Sequence, residues 1–129
     1  MKIMKKILVV DDDADFLAEL NETLVLSGYD TVAVNDGFTA FKLAREIKPD
    51  LILVDMKMDG LNGFQVADKL NQYVETSKIP VIAMSGHFTE DEHLRLMDML
   101  GIKALIRKPF MPLDVIAHIE KFTRDGREL

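Results

Sequence analysis

The apolar run LILV, residues 51–54, leads directly into Asp55. An unbroken apolar run of this length is typical of a strand that is buried on both faces. A carboxylate at the end of such a strand is costly to bury unless it is paired or bound to a metal ion. The position of Asp55 therefore indicates a chemical role.

Polar residues follow three further apolar runs in the same way. ILVV at 7–10 is followed by Asp11, Asp12 and Asp13, VIAM at 81–84 by Ser85, and ALIR at 104–107 by Lys108. In an open parallel sheet, ligands bind beyond the carboxyl ends of the strands. Three carboxylates (Asp11, Asp12 and Asp55) against one lysine would make a site too negative to stay empty.

Each of these residues also has an ordinary structural interpretation. Acids at 11–13 complement the dipole of a following helix, and Asp55 could cap a turn or helix. Ser85 before Gly86 is a common turn residue, and Lys108 would normally be a solvated loop lysine. The combination, rather than any one residue, favours a functional site.

All-oxygen ligands without nearby Cys or His suit Mg²⁺ rather than zinc or copper. A carboxylate beside Mg²⁺ can attack phosphorus and form an aspartyl phosphate. Phosphoryl transfer needs little more than positioning and cations, which Mg²⁺ and Lys108 would supply, and the Ser85 hydroxyl can donate to another phosphoryl oxygen. We therefore predict Asp55 as a phosphoryl acceptor.

Short apolar runs and helical patterns alternate five times along the chain. The predicted strands are Ile7–Val10, Thr31–Val34, Leu51–Val54, Pro80–Met84 and Ala104–Ile106. The predicted helices are Asp15–Leu26, the pattern from Ala40 to Ile47, the pattern from Phe64 to Leu70, a helix opened by a Thr89/Glu92 capping box and running to Leu100, and one from Pro112 to about Phe122. This alternation predicts a parallel sheet with helices on both faces, in a single domain spanning 1–129.

Composition excludes several other classes. The formal charge of −6 argues against direct nucleic-acid binding, which needs Lys and Arg to neutralise phosphates. The apolar runs are too short for membrane insertion, and the N-terminus lacks the features of a signal peptide. The chain has no cysteine, and a cytoplasmic location is the default expectation.

The same segments resemble the response-regulator receiver domains of two-component signalling, including chemotaxis-receiver-like single-domain regulators. The resemblance covers about residues 5–122, with 123–129 as a C-terminal tail, and rests on ILVVDDD, LILVDMKMDGLNG, PVIAMSG and ALIRKPF in this order. It implies a flavodoxin-like, doubly wound, five-stranded parallel sheet of order 2-1-3-4-5 with five helices.

The resemblance also implies a role for each site residue. Asp55 would be phosphorylated, Asp12 would ligate Mg²⁺ directly and Asp11 through water, and the third protein ligand would be the backbone carbonyl of Lys57. Ser85 would contact the phosphoryl group, and Lys108 would form an ion pair with it. The Lys108–Pro109 bond is expected to be cis.

Three positions depart from the pattern of the family. Asp59 stands where Pro is usual, which adds a negative charge beside the site, and Gly86 stands where Ala is usual. Leu105 replaces an aromatic residue that, together with the hydroxyl at Ser85, forms the switch of many receivers. The aromatic readout of phosphorylation is therefore in question, although the chemistry is not.

The leading hypothesis is a stand-alone receiver that takes its phosphoryl group from a histidine kinase or a histidine-phosphotransfer protein. It would either shuttle the group onward, which Leu105 mildly favours, or bind an unknown target protein, as a monomer or weak dimer. On the helix near residue 97, Leu96 and Met99 fall off the predicted Leu94–Met97–Leu100 core stripe and could form an apolar patch. In either case the chain would not be a turnover enzyme.

Three alternatives stay open. The chain could be the receiver of a longer regulator with a further output domain, possibly a DNA-binding one. A small Mg²⁺-dependent phosphatase would usually carry a general-acid Asp where this chain has Lys57, and a flavodoxin-like cofactor protein would need a less acidic anion cradle. His87 and Lys57 lie where the family tunes the phosphoryl lifetime, and solvated loop residues are the plainer interpretation of both.

Overall fold

The computed structural model describes residues 4–86 and 91–123, without the side chains of 91–93. Five strands alternate with five helices in this part of the chain. They are β1 (Lys6–Val10), α1 (Ala14–Leu26), β2 (Asp30–Val34), α2 (Gly37–Ile47), β3 (Leu51–Asp55), α3 (Gly63–Asn71), β4 (Val81–Ser85), α4 (Asp91–Met99), β5 (Ala104–Arg107) and α5 (Pro112–Phe122).

The five strands form one parallel sheet of order β2-β1-β3-β4-β5. This is the flavodoxin-like fold, and the predicted fold class is confirmed. From β1 the chain moves outward to β2 and then crosses back to β3, so the order reverses between β1 and β3. Crevices at such a reversal are where open α/β sheets bind ligands.

Two apolar layers sandwich the sheet because successive strand residues point to opposite faces. One layer packs Ile7, Val9, Leu51 and Leu53 against α1 and α5. The other packs Leu8, Val10, Ile52 and Val54 against α2, α3 and α4. Strands β3 and β4 are buried along their whole length, as their apolar runs predict, whereas the edge strand β2 is only half-buried.

The predicted helix ends lie close to the observed ones. Asp13 caps α1 by accepting a hydrogen bond from the backbone N–H of Phe16 at 3.2 Å, so this acid has the structural role that the sequence allowed. Gly28, just after α1, adopts a φ of 96°, a conformation that costs little only for glycine. Pro112 opens α5 as predicted.

The predicted core stripe of α4 is partly wrong. Met97 is buried and Leu100 packs against the core, but the side chain of Leu94 is 41% exposed. The helix therefore meets the sheet through its C-terminal half, and Leu94 lies beyond the apolar layer. Leu96 and Met99 are exposed as predicted, and the Thr89/Glu92 capping box lies outside the side chains that the structure describes.

Within the described ranges, no helix is both long enough and apolar enough to cross a membrane.

Candidate functional site

The pleat of the sheet places two of the predicted acids on the same side. Odd-numbered residues of β1 and β3, such as Val9 and Leu53, pack into the layer of α1 and α5. By the same alternation, Asp55 at the end of β3 and Asp11 just after β1 point towards that layer. Their strands are neighbours in the sheet, so the two carboxylates meet at the reversal of strand order.

Asp11, Asp12 and Asp55 form one cluster in which the candidate ligand oxygens all lie within 4.8 Å of one another. Asp11 is fully buried and Asp55 is 7% exposed, whereas Asp12 is exposed at the rim. The structure thus brings together the three carboxylates that the sequence singled out. Like charges this close and this buried repel strongly, so the cluster needs a cation.

Lys108 supplies positive charge to the cluster. Its Nζ lies 2.5 Å from Oδ2 of Asp11 and 3.9 Å from Oδ2 of Asp55, and its side chain is only 18% exposed. The backbone N–H of Lys108 donates to the carbonyl of Ser85 at 2.7 Å, which fixes the loop after β5 to the end of β4. The Lys108–Pro109 bond is cis, as expected.

Burial raises the pKa of Asp55 above its ordinary value, and the charge of Asp11 raises it further. Lys108 and the backbone N–H of Lys57, which donates to the Asp55 carboxylate, lower it, but they only partly offset the rise. The ionised form of Asp55 is therefore destabilised relative to the protonated form. A bound cation would stabilise the ionised form, which is the nucleophilic one.

The donor set fits a hard divalent cation. Three carboxylates converge against a single described ammonium, and among the described residues the cluster includes neither Cys nor His. Asp12 also accepts a hydrogen bond from the backbone N–H of Asp59 at 3.3 Å, which ties the loop after β3 to the rim of the cluster. The carbonyl of Lys57 as a further ligand stays a prediction.

The two predicted switch residues lie on neighbouring strands. Ser85 is buried at the end of β4, and Leu105 is half-buried in β5, where it packs against the layer of α2, α3 and α4. A Cβ at Gly86 would lie 4.0 Å from the Lys108 side chain, so this position has room for the usual Ala. The roles of Ser85 and Leu105 in switching stay predictions, and His87 lies outside the described residues.

Sequence reasoning missed two residues that shape the site. A Cβ at Gly63 would lie 2.7 Å from the carbonyl oxygen of Asp55, so only glycine lets α3 approach the end of β3 this closely. The ring of Phe16 lies under the Lys108 ammonium, with Nζ 3.9 Å from the ring centroid. Spacing within α1 gave no sign of this contact, because it joins residues that are far apart along the chain.

Comparison with known proteins agrees with this geometry. The family model of the response regulator receiver domain matches residues 7–120. The chain is 34% identical over 120 residues to the alkaline phosphatase synthesis transcriptional regulatory protein PhoP of Bacillus subtilis, a match that covers 93% of this chain and 49% of that protein. The chain thus spans about half the length of this curated relative.

Solved structures share the fold. Chemotaxis protein CheY4 of Vibrio cholerae superposes with a TM-score of 0.88 at 23% identity, covering 93% of this chain and 99% of that one. The receiver domain of the sensor histidine kinase PA1611 of Pseudomonas aeruginosa, solved with a magnesium ion in its active-site cleft, gives 0.85 at 21% identity over 94% and 98% of the two chains. With an acidic pocket at the strand ends and a family model that matches most of its length, the chain belongs to the response regulator receiver domain family of two-component signalling.

Proposed function

We propose that the chain accepts a phosphoryl group on Asp55, in a Mg²⁺-dependent reaction, from a phosphohistidine of a sensor histidine kinase or a histidine-phosphotransfer protein. The observation that carries the proposal is the buried Asp55 carboxylate within 4.8 Å of two further carboxylates and 3.9 Å from the Lys108 ammonium. Receivers interact with histidine kinases, and they are typically phosphoacceptors rather than turnover enzymes.

In the proposed step, one carboxylate oxygen of Asp55 attacks phosphorus as the P–N bond of the phosphohistidine breaks. The electron pair of that bond returns to the imidazole, which takes up a proton, and an acyl phosphate remains on Asp55. A bound Mg²⁺ would supply positive charge against the phosphoryl oxygens. In this proposal Lys108 pairs with another of these oxygens, and Ser85 at the neighbouring strand end is the hydroxyl donor.

Asp11 and Asp12 are the proposed metal-holding side chains, together with Asp55 and the backbone carbonyl of Lys57. The buried Asp11 is bound to Lys108 on one side and accepts the backbone N–H of Asp13 at 3.0 Å on the other. These contacts orient its carboxylate before any ion arrives. Asp12 is exposed and therefore open to exchange with solvent ions.

The output of the phosphorylated form is proposed to be a protein contact. Leu105 has no polar tip to reorient, which favours a relay that returns the phosphoryl group to a phosphotransfer histidine. The exposed Leu96 and Met99 on α4 would favour capture of a target protein instead. The curated relative PhoP is about twice as long as this chain. A second version of the proposal is therefore that this chain is the receiver of a longer protein, and that the output lies in a further domain of that protein.

Intact mass after incubation with acetyl phosphate and Mg²⁺ tests the proposal. We expect the wild type to gain one phosphoryl group, and the gain to vanish with chelator and in Asp55→Asn. Asp68→Asn, which alters an exposed acid on α3, is the matched control and should be phosphorylated like the wild type. Undiminished phosphorylation of Asp55→Asn would overturn the assignment, and steady hydrolysis of a phosphomonoester would favour the phosphatase alternative.

A further inference from the structure

We propose that Phe16 is a positioning residue for Lys108, and that its ring holds the lysine ammonium where Asp55 takes up a phosphoryl group. The consequence for rate rests on the proposed function, whereas the contact itself does not. Nζ of Lys108 lies 3.9 Å from the centroid of the Phe16 ring, well within the range of a cation–π interaction.

Three groups surround the ammonium and locate it between them. Asp11 binds Nζ at 2.5 Å, Asp55 lies 3.9 Å away, and the Phe16 ring covers a further side. The ring adds an uncharged contact to those that the two carboxylates make with the tip of the flexible lysine stem. Any cation that binds those carboxylates competes with Lys108 for them, whereas it leaves the ring contact in place.

The Phe16 ring is itself held in position. It packs edge-to-face on Phe110, with ring centroids 5.7 Å apart and planes at 83°, and it contacts the apolar layer of α1 and α5. Phe110 follows Lys108 by two residues, so α1 and the loop after β5 are joined at this point. Both rings line a groove of about 440 Å³ that also includes Leu20 and Pro112.

The contact has a spectroscopic signature that does not depend on phosphorylation. Protons near the face of an aromatic ring experience its ring current, so the side-chain resonances of Lys108 should be shifted upfield in the wild type. We expect this shift to be lost in Phe16→Leu and retained in Phe16→Tyr, as measured by NMR of lysine side chains in the metal-free protein.

Phe41→Leu is the matched control. Phe41 is also a half-buried helical phenylalanine, with Nζ of Lys69 at 5.5 Å and the Arg45 guanidinium at 5.9 Å from its ring, but it lies on α2 in the opposite layer. Its substitution removes a ring of the same kind from the same fold. The Lys108 resonances should therefore stay at their wild-type positions.

The kinetic readout is the rate at which acetyl phosphate and Mg²⁺ phosphorylate the protein. This small donor needs no docking surface, so a change in rate reports on the site alone. Phe16→Leu should slow phosphorylation roughly three- to tenfold, the size expected for loss of one cation–π contact, with recovery in Phe16→Tyr and no change in Phe41→Leu.

An unchanged Lys108 resonance in Phe16→Leu, or an unchanged rate despite a moved resonance, would overturn the proposal. Phe16→Met, which keeps an apolar side chain of similar length, replaces Phe16→Leu if that variant does not fold. If the wild type itself gains no phosphoryl group, the proposed function fails. In that case the NMR comparison alone decides whether the ring holds Lys108.

Discussion

The two ends of the parallel strands differ in how their charges are paired. The amino edge is the side of the sheet where the strands begin, and the carboxyl edge is the side where they end. At the amino edge, Nζ of Lys5 lies 3.0 Å from Glu120, and Lys6 meets Asp30 at 3.7 Å. The Tyr29 hydroxyl donates to the same Glu120 at 2.6 Å, and burial with this hydrogen bond raises its pKa. At the carboxyl edge, three carboxylates cluster together, and among the described residues Lys108 pairs with two of them, Asp11 and Asp55.

The contrast lies in the balance of charge at the two edges. The ion pairs at the amino edge join Lys5, just before β1, to α5 and join β1 to β2. The carboxyl edge keeps an excess of negative charge at a crevice, which lowers the stability of the metal-free protein but provides a binding site. Removing a carboxylate should therefore stabilise the metal-free protein at the carboxyl edge, destabilise it at the amino edge, and affect phosphorylation only at the carboxyl edge.

Lys108→Met should have the largest effect on stability. The substitution keeps the apolar stem of the side chain but leaves the fully buried Asp11 without its cation, and a buried charge that loses its partner costs about 3 kcal/mol. Urea denaturation of the metal-free protein measures the change. A loss below about 1 kcal/mol would contradict the assignment of Lys108 as the main counter-ion of Asp11.

Asp55→Asn should stabilise the metal-free protein at neutral pH, by about 1 kcal/mol, because it removes one of the mutually repelling charges. Below the ordinary carboxyl pKa of 3.8 both folded and unfolded chains carry a neutral Asp55, and the variant gains nothing. As pH rises from that value towards the raised pKa of the folded state, the wild type loses stability relative to the variant.

Urea titrations from acidic to neutral pH measure this difference. Mg²⁺ should reverse it, because the ion binds the folded wild type more tightly than the variant and stabilises it by mass action. A variant that is equally or less stable than the wild type at neutral pH without Mg²⁺ would show that burial and the neighbouring charges do not destabilise ionised Asp55.

Glu120→Gln tests the amino edge. Lys5 and the buried Tyr29 hydroxyl lose a charged acceptor, so the free energy of unfolding should fall by roughly 1 kcal/mol. Phosphorylation by acetyl phosphate should proceed at the wild-type rate, because the pair lies at the opposite end of the strands. A slowed rate would contradict the independence of the two edges.

Gly86→Ala should have the smallest effect. The added methyl group meets the Lys108 side chain at ordinary contact distance, and alanine restricts the unfolded chain, so we expect a gain of about 0.5 kcal/mol. Thermal unfolding measures it. A destabilised variant would show that the added methyl group is not accommodated at ordinary contact distance.

Much of the fold and most of the site residues could be predicted from the sequence. Apolar runs and turn residues are local signals, and they located all five strands to within about a residue of their observed ends. The grouping of Asp11, Asp12 and Asp55 followed from one rule about parallel sheets. Leu94 was misplaced because spacing shows which helix residues share a face, but not how far along the helix the core extends.

The contacts that refine the site could not be predicted in this way. Phe16 lies beneath Lys108, and Gly63 lies against the carbonyl of Asp55, only because separate elements pack together. Such contacts depend on three-dimensional packing rather than on local pattern. The ligand role of the Lys57 carbonyl, the switch residues and the extent of the domain stay predictions.

The alternation of side chains along β3 has a consequence for how this protein can change over evolution. Asp55 faces the layer of α1 and α5 because it lies two positions after Leu53 and four positions after Leu51, which face the same way. Loops can lengthen or shorten without moving the carboxylate. A single residue gained or lost within the strand would turn Asp55 to the opposite face, away from Lys108. Variants that keep the site must therefore keep the spacing between Leu51, Leu53 and Asp55.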